Sequence, residues 1–384
     1  MRVALFTHSL ASDWNHGNAH FLRGVAVELI ARGHEVRAFE PHDAWSRRNL
    51  VASEGEAALD GFRRAYPALQ PIRYRLDALD LDAALDGIDL VLVHEWNHPR
   101  LVARLGVHRA RARRYALLFH DTHHRSVSDP AAMAAFDLRH YDGALVFGRV
   151  IRDLYLRAGW VERAWVWHEA ADVRVFRPLD AGEDEPRGDL VWIGNWGDGE
   201  RTRELEEFLL EPARALGLTA TAYGVRYPAS ARAALRAAGI RYDGWLPNFA
   251  APAAFARHRV TVHVPRRYYA RALAGIPTIR PFEALACGIP LVSAPWDDCE
   301  RLFTPGRDFL VAADGAEMKR HLRALLADEA WARALAEHGR ATILARHTCG
   351  HRVGELLDVA RELGVPLRAS LSVVPDRPAA GGGG

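Results

Sequence analysis

The chain of 384 residues is poor in cysteine, methionine and lysine. Its three cysteines, Cys287, Cys299 and Cys349, are odd in number and lack paired metal-ligand spacing, which indicates free thiols in a reducing compartment. Lysine occurs only as Lys319, so arginine carries nearly all the positive charge. No apolar run approaches the roughly 18 residues of a membrane span, and the N-terminal run is too short for a signal peptide. We therefore expect a cytoplasmic protein.

Composition and charge balance are those of a globular protein. Hydrophobic residues make up 49% and charged residues 26% of the chain, which argues against a disordered or a membrane protein. The formal net charge is only +2, so bulk electrostatics do not indicate nucleic acid as a partner. A chain of this length is too long for one compact core, and two domains are expected.

Short apolar runs alternate with helical patterns in both halves of the chain. This alternation is typical of a parallel sheet with crossover helices, so the sequence predicts an α/β fold of two Rossmann-like domains. The predicted strands of the first half are 3–7, 35–39, 90–93, 115–119 and 144–147. Those of the second half are 190–193, 219–223, 260–264 and 289–293.

A polar, acidic and turn-rich stretch separates the two halves. We predict a first domain over residues 1–178, a linker over 179–188, and a second domain with closing helices over 189–369. The last helix is expected to cross back onto the first domain. Residues 370–384 are rich in proline and glycine and end in four glycines, which predicts a disordered tail.

The segment 280–293 is the most informative part of the chain. It places Glu283 in a short helix that Gly288 ends, followed by an apolar strand. A glutamate there can simply complement the helix dipole. Arg280, three residues earlier, adds a cation suited to a diphosphate beside a carboxylate suited to a diol. The pair favours a nucleotide-binding role at one edge of the sheet.

This segment resembles the Glu-Ala-Leu/Met-Ala-Cys-Gly-x-Pro signature of nucleotide-sugar-dependent glycosyltransferases with the two-domain GT-B fold. Residues 168–178 resemble the interdomain Gly-Val-Asp-x-x-x-Phe-x-Pro stretch, and 189–196 resemble the strand and glycine loop that open the donor domain. Residues 120–124, 280–283 and 347–348 are similar to the spore-maturation-type (CgeB-like) enzymes and to retaining family 4. The likeness spans residues 1–355.

The resemblance implies two domains facing across a cleft in a bacterial, hexosyltransferase-type enzyme. It implies a nucleoside-diphosphate sugar as co-substrate, with uridine diphosphate as the expected nucleotide, no cofactor, no catalytic metal and retention of the anomeric configuration. The acceptor and the oligomeric state stay open. A nucleotide-sugar epimerase or hydrolase on the same fold, or a non-catalytic carbohydrate-binding protein, is an alternative.

Ligands of open parallel sheets bind beyond the carboxyl ends of the strands, which selects the candidate donor-binding residues. Spacing does not decide whether Arg266 or Arg267 turns inward. Trp245 can equally well be a core residue. The loop at Gly194 can also be a plain turn beside a solvated arginine. The predicted donor-binding residues are Gly194, Asn195, Trp196, Arg201, Trp245, Arg266, Arg267, Glu283 and Ala284.

The histidine-rich loop 120–124 supplies the catalytic candidates by the same resemblance. A histidine at this place approaches the donor sugar in the resembled retaining enzymes, which implies His120, with Asp121 orienting it or binding acceptor. Arg280 completes the predicted catalytic set. Histidine clusters also suggest metal, but a loop after a strand lacks fixed ligand geometry, so no metal ligand is assigned.

Two further loops are predicted to line the cleft or touch the acceptor. The first contains His16, Gly17 and Asn18, and the second contains Glu95. Residues 94–98 carry the letters of the zincin motif, whose mechanism needs both histidines on one helical face. A strand enters this segment and Pro99 disfavours helical geometry before it, so the metalloprotease interpretation is rejected.

One position departs from the resembled pattern. Many relatives carry a second glutamate eight residues before the one that matches Glu283, and Gly275 occupies that place here. Contacts to the sugar ring must then come from another residue.

Overall fold

The computed structural model describes residues 1–367 except 113, 181, 183–186 and 198. The predicted tail 370–384 lies outside the described residues, and the predicted linker 179–188 is described only in part. The predicted domain boundaries therefore stay predictions.

The first half of the chain folds around a parallel sheet, seven-stranded within the described residues, in the order β3-β2-β1-β4-β5-β6-β7. Its strands are β1 Arg2–Phe6, β2 Glu35–Pro41, β3 Ile72–Tyr74, β4 Leu90–His94, β5 Ala116–Asp121, β6 Gly143–Val146 and β7 Ala164–Val166. The helices of this half are α1 Ala19–Ala31, α2 Trp45–Glu54, α3 Ala58–Ala65, α4 Leu81–Ala84, α5 Pro99–Ala112, α6 Arg125–Ser128, α7 Pro130–Ala134 and α8 Arg149–Arg157.

The second half folds around another parallel sheet, with six strands in the described part of the chain, in the order β10-β9-β8-β11-β12-β13. Its strands are β8 Gly188–Ile193, β9 Ala220–Tyr223, β10 Ile240–Tyr242, β11 His258–His263, β12 Leu291–Ser293 and β13 Leu310–Val311. The helices that follow are α9 Thr202–Leu205, α10 Glu211–Leu216, α11 Ala229–Ala237, α12 Ala251–Ala256, α13 Arg267–Arg271, α14 Ile279–Ala286, α15 Gly315–Ala327, α16 Glu329–Arg346 and α17 Cys349–Glu362.

The inner strands of both sheets are buried on both faces, which explains their nearly continuous apolar sequences. In β4, for example, Leu90 and Leu92 pack into one core cluster of the first domain, while Val91 and Val93 pack into the other. All nine predicted strands are present, and the prediction of two parallel-sheet α/β domains is confirmed. In the described residues, no helix combines the length and apolarity that crossing a membrane requires.

The last helix crosses back onto the first domain, as predicted. Helix α17 begins with a capping box at Thr348 and packs against α1. Their close approach requires Gly24, because a Cβ atom there would lie 2.4 Å from Cys349 Sγ. Trp167 Nε1 donates a hydrogen bond of 2.8 Å to the carbonyl oxygen of Arg352. These contacts join the end of the chain to the first domain.

Candidate active site

A cavity of about 380 Å³ lies where the carboxyl ends of the two sheets face each other. Both domains contribute to its wall, through the loops that follow β1, β4, β5, β6 and β7 and through those that follow β8, β9, β10 and β11. The beginning of α14 completes the wall. The cavity thus occupies the position at which open parallel sheets bind ligands.

Arg201 is the most deeply buried cation of the cavity wall, with 9% of its surface exposed. Its guanidinium donates hydrogen bonds to the carbonyl oxygens of Val264 and Asn195, at 2.7 and 2.5 Å. Among the residues that the structure describes, no acidic side chain forms an ion pair with it, and its Nε lacks a partner. Burial, and then the positive charge of Arg266, lowers the pKa of Arg201 to about 9. Burying a positive charge without a nearby negative charge costs free energy of folding, so this geometry favours an anionic ligand.

Of the two adjacent arginines that sequence could not separate, Arg266 turns into the cavity. Its Nη1 lies 3.2 Å from Glu200 Oε2, and Glu200 also lines the wall. Arg267 begins α13 and points away, where its Nε lies 3.2 Å from Glu204 Oε1. Arg267, which was predicted to bind the donor, therefore does not line the cavity in this conformation, because successive side chains at this helix start point in different directions.

The beginning of α14 presents a strained backbone to the cavity. Thr278, Ile279 and Arg280 line the wall there. Thr278 has φ 62° and ψ 178°, a conformation that a β-branched residue rarely adopts. Such strain persists where the surroundings impose it, commonly at ligand-binding sites. The unsatisfied N–H groups of a helix N-terminus together with Arg280 suit a phosphate group.

Glu283 lies behind this turn rather than in the wall. Its carboxylate is fully buried, pairs with Arg280, and lies 2.8 Å from His20 Nδ1. The N–H of Asp172 donates to His20 Nε2, so His20 donates from Nδ1 to Glu283. Ala284 is buried as well. In this conformation Glu283 orients Arg280 and connects α14 to α1 of the first domain, and neither Glu283 nor Ala284 reaches the cavity.

The glycine loop after β8 contributes Gly194 and Asn195 to the wall. Asn195 Oδ1 accepts a hydrogen bond of 2.9 Å from the N–H of Val225, and its amide contacts Asn15 of the first domain. Trp196, which was predicted to bind the donor, does not line the cavity. Its ring packs in the core of the second domain, and its Nε1 donates to Thr202.

Trp245 lines the cavity instead of filling the core. Its Nε1 donates a hydrogen bond of 3.1 Å to Asp13 of the first domain. Asp13 also accepts bonds from the N–H of Asn248 and from Arg23 Nη1, both at 2.9 Å. The carboxylate of Asp13 therefore joins the two domains at one end of the cavity.

The catalytic candidates His120 and Asp121 do not line the cavity, and their catalytic role stays a prediction. Strand β5 continues to Asp121, two residues beyond its predicted end, so His120 is still part of the sheet. Its ring packs between His94 and Trp167, with ring centroids 5.3 and 4.9 Å away. Asp121 accepts hydrogen bonds from Tyr155 and from the N–H of His123.

His123 and His124 take the place predicted for His120. The ring of His123 lies 5.0 Å from that of Trp96, and its Nδ1 lacks a hydrogen-bond partner in the described structure. Burial lowers the pKa of His123 well below its usual value, and the charges of His124 and Arg266 lower it further. The imidazole facing the cavity is therefore neutral.

Both of the first-domain loops that were predicted to contact the acceptor or the cleft contribute residues to the cavity wall. His16, Gly17 and Asn18 line the wall. In the second loop it is Trp96 that does so, whereas Glu95 is buried and pairs with Arg125. His94 ends β4 and His98 precedes α5, so these histidines share no helical face. Within the described residues, no group of three or more histidine, cysteine or acidic side chains is arranged to hold a metal ion.

Two polar residues of the wall were not singled out as ligands by sequence. Glu169 follows β7, is 3% exposed, and its Oε1 has no hydrogen-bond partner among the described residues. Burial and the charge of Glu283 raise its pKa well above the usual value, against the opposing effect of Arg280. His263 ends β11, and burial lowers its pKa to about 3. Their position at strand ends was the available signal, but β7 has only three residues and is too short to predict.

Residues 201–358 match the family described as glycosyl transferase-like. No curated protein sequence matches the chain. Among solved structures, the chain is similar to sucrose-phosphate synthase from Thermosynechococcus elongatus, with 16% identity, a TM-score of 0.64, and coverage of 95% of this chain and 99% of that one.

Two further solved structures contain bound nucleotide. Anabaena HepE, in complex with UDP and glucose, is 13% identical with a TM-score of 0.66, over 94% of this chain and all of that one. An alpha-glucosyltransferase in complex with UDP and a 13-mer DNA is 14% identical with a TM-score of 0.68, over 94% and 99% of the two chains. At these identities the likeness establishes the fold, and the chain has the GT-B fold of two facing Rossmann-like domains that the sequence predicted.

Proposed function

We propose that this protein is a glycosyltransferase that moves a sugar from a nucleoside-diphosphate sugar, bound mainly by the second domain, to an acceptor on the first domain. The observation that carries this proposal is the buried Arg201, which has no acidic partner among the described residues and faces a cavity shared with Arg266 and Arg280. A diphosphate would supply the missing negative charge. The match of residues 201–358 to a glycosyl transferase-like family supports the same ligand class.

The arrangement is suited to stabilising the leaving group. Glycosyl transfer builds negative charge on the departing diphosphate while the sugar becomes oxocarbenium-like. Arg201 and Arg266 project from the second domain, and Arg280 joins them at the N-terminus of α14. Their charges, and the N–H groups of the α14 turn, are preorganised for that developing charge, which lowers the barrier without reorganisation of solvent.

His123 is the first-domain residue that we place beside the transferring sugar. Its neutral imidazole can accept or donate a hydrogen bond at a hydroxyl group without adding charge to the cavity. The resemblance to CgeB-like and family 4 enzymes supports retention, with the leaving phosphate helping to deprotonate the acceptor, a hexosyl donor and no metal requirement. The UDP complexes of the similar structures support uridine as the base. The cytoplasmic location stays a prediction.

Binding and transfer are tested separately. Thermal unfolding of the wild type is measured with UDP, GDP, dTDP and ADP, because a ligand that binds the native state raises its melting temperature. The matching nucleotide sugar is then incubated with candidate acceptors, and released diphosphate and glycosylated product are measured by mass spectrometry. A binding-only protein would give the shift without product, and an epimerase or hydrolase would turn over the nucleotide sugar without acceptor.

The adjacent arginines provide a matched pair of variants. Arg201→Gln should weaken diphosphate binding about 10- to 100-fold, since a hydrogen bond to a charged group contributes about 1.5–3 kcal/mol. Arg267→Gln removes the same charge from a side chain that points away from the cavity, and binding should stay within about twofold of the wild type. Equal effects of the two substitutions, or no shift with any of the four diphosphates, would refute the proposal.

A further inference from the structure

The cavity contains a carboxyl group that the proposed mechanism does not use. Glu169 lies in the segment that leads from β7 toward the second domain and lines the wall shared with Arg280. Its side chain is almost wholly buried, yet in the described structure Oε1 forms no hydrogen bond. A buried polar atom without a partner costs about 1–3 kcal/mol, and few are found in native proteins. A bound ligand that pairs with Glu169 would recover that cost.

The place at which the resembled enzymes carry a second glutamate cannot hold one here. Gly275 has φ +88°, a left-handed conformation that side chains rarely adopt. A Cβ atom there would lie 2.7 Å from Glu300 Cγ and 3.1 Å from Cys299 Sγ. Glu300 is held in that space because its carboxylate accepts a hydrogen bond of 2.6 Å from the N–H of Arg149. A carboxyl group that contacts the sugar must therefore come from another element.

The surroundings of Glu169 favour its neutral form. Burial raises its pKa well above the usual range, and the charge of Glu283 raises it further, while Arg280 acts in the opposite direction. A neutral carboxyl group both donates and accepts hydrogen bonds, which matches the two roles of a sugar hydroxyl. It also adds no negative charge beside a diphosphate. An ionised carboxylate in the same place would repel that group.

We infer that Glu169 is a sugar-binding residue, whose carboxyl group hydrogen-bonds hydroxyl groups of the donor sugar in place of the contact that Gly275 cannot make. This inference rests on the proposed function. Glu169 enters from the first-domain side of the cavity, together with Thr122 and His123, whereas Trp245 and Val225 belong to the second domain. If the second domain binds the nucleotide, the first-domain side of the cavity is the part that remains for the sugar.

The test compares ligands that differ only by the sugar. Affinities are measured by calorimetry for UDP and UDP-glucose, GDP and GDP-mannose, dTDP and dTDP-glucose, and ADP and ADP-glucose, and the pair that the wild type binds most tightly is used for the variants. Glu169→Ala should weaken binding of the nucleotide sugar at least tenfold and leave the diphosphate within about threefold. Glu169→Gln keeps a neutral donor and acceptor and should restore nucleotide-sugar binding to within about threefold of the wild type.

Glu300→Gln is the control, because the Glu300 side chain is equally buried and lies beside Gly275 but outside the cavity wall. Its ratio of sugar to diphosphate affinity should match that of the wild type. An unchanged ratio in Glu169→Ala would overturn the inference while diphosphate binding upholds the proposed function. Equal losses of both ligands, or a Glu169→Gln variant as weak as Glu169→Ala, would also overturn it. Absence of binding by all four pairs would overturn the proposed function and the inference together.

Discussion

Acidification should destabilise this protein strongly, because a row of buried histidine rings in the first domain includes His16 of the cavity wall. The rings of His8, His16, His94 and His120 follow one another with centroids 5.3–5.7 Å apart. Burial lowers the pKa of His8 to about 4 and that of His120 to about 3, and it lowers those of His16 and His94 well below 6.5. His263, on the other side of the cavity, has its pKa lowered to about 3.

The sign of the effect follows from proton uptake. Between pH 6.5 and these lowered values the unfolded chain binds protons that the folded chain does not, so stability is complete above pH 6.5 and falls as the pH falls. At pH 5 the buried His120 and His263 each lose about 2 kcal/mol relative to pH 7.5, or about 4 kcal/mol together, and the lowered pKa values of His16 and His94 act in the same direction. Asp121, whose pKa burial raises to about 6, acts in the opposite direction and offsets about 1 kcal/mol, and the raised pKa of Glu169 acts in that direction too.

The net loss of about 3 kcal/mol from His120, His263 and Asp121 is a large part of the 5–15 kcal/mol that stabilises a typical domain. At about 2–4 °C per kcal/mol, the melting temperature at pH 5 should lie about 10 °C below that at pH 7.5. Thermal unfolding followed by circular dichroism across this range measures it. His120→Leu should recover about 2 kcal/mol at pH 5, while His140→Gln, at an exposed position, should not alter the slope. Equal melting temperatures at the two pH values would refute the reasoning.

Three further predictions concern packing, the domain junction and strain. Gly24→Ala should destabilise the protein by about 1–3 kcal/mol through its collision with Cys349, whereas Gly354→Ala, in open space on α17, should stabilise it by about 0.5–1 kcal/mol; denaturant titrations would show both. Asp13→Ala should cost about 3–5 kcal/mol in thermal unfolding, because a buried carboxylate that joins the two domains is lost and its cation is left unpaired. Thr278→Gly should not lower the melting temperature. The substitution relieves about 1–3 kcal/mol of backbone strain at the positive φ, and this offsets the extra conformational entropy that glycine loses on folding. A fall of several degrees would show that the backbone at Thr278 is not strained.

The strands that sequence analysis did not predict are the four sheet edges. β3 and β7 bound the first sheet, and β10 and β13 bound the second. The nine predicted strands lie inside, where burial on both faces selects continuous apolar residues. An edge strand has one unpaired side, so it can be short and mixed, as in the three-residue β3 and β10, each Ile-Arg-Tyr. The inner strands were therefore predictable from the sequence, and the edge strands were not.

The candidate site was predictable as a set of loops but not as a set of side chains. Sequence places each loop at the carboxyl end of a strand, and the topology then brings those ends together. Which residue faces the cavity depends on where the strand stops, and a shift of one or two residues changes the answer. This explains why His123 replaces His120 and why Arg266 and Arg267 could not be separated. The buried positions of Glu283 and Trp196 depend on partners distant in sequence, which spacing does not reveal.

The charge distribution around the cavity links its acid sensitivity to its proposed chemistry. Burial lowers the pKa of His123 and raises that of Glu169, which favours the neutral form of both side chains, and the carboxylate of Glu283 pairs with Arg280. The positive charge that a ligand meets is therefore concentrated in the arginines on the second-domain side. Protonation of the buried first-domain histidines would place positive charge on the first-domain side of the cavity as well. The cavity would then stabilise negative charge on the leaving group less selectively than it does when only the arginines are charged. Burial of the histidines thus both makes the fold sensitive to acid and confines the positive charge of the cavity to its second-domain side.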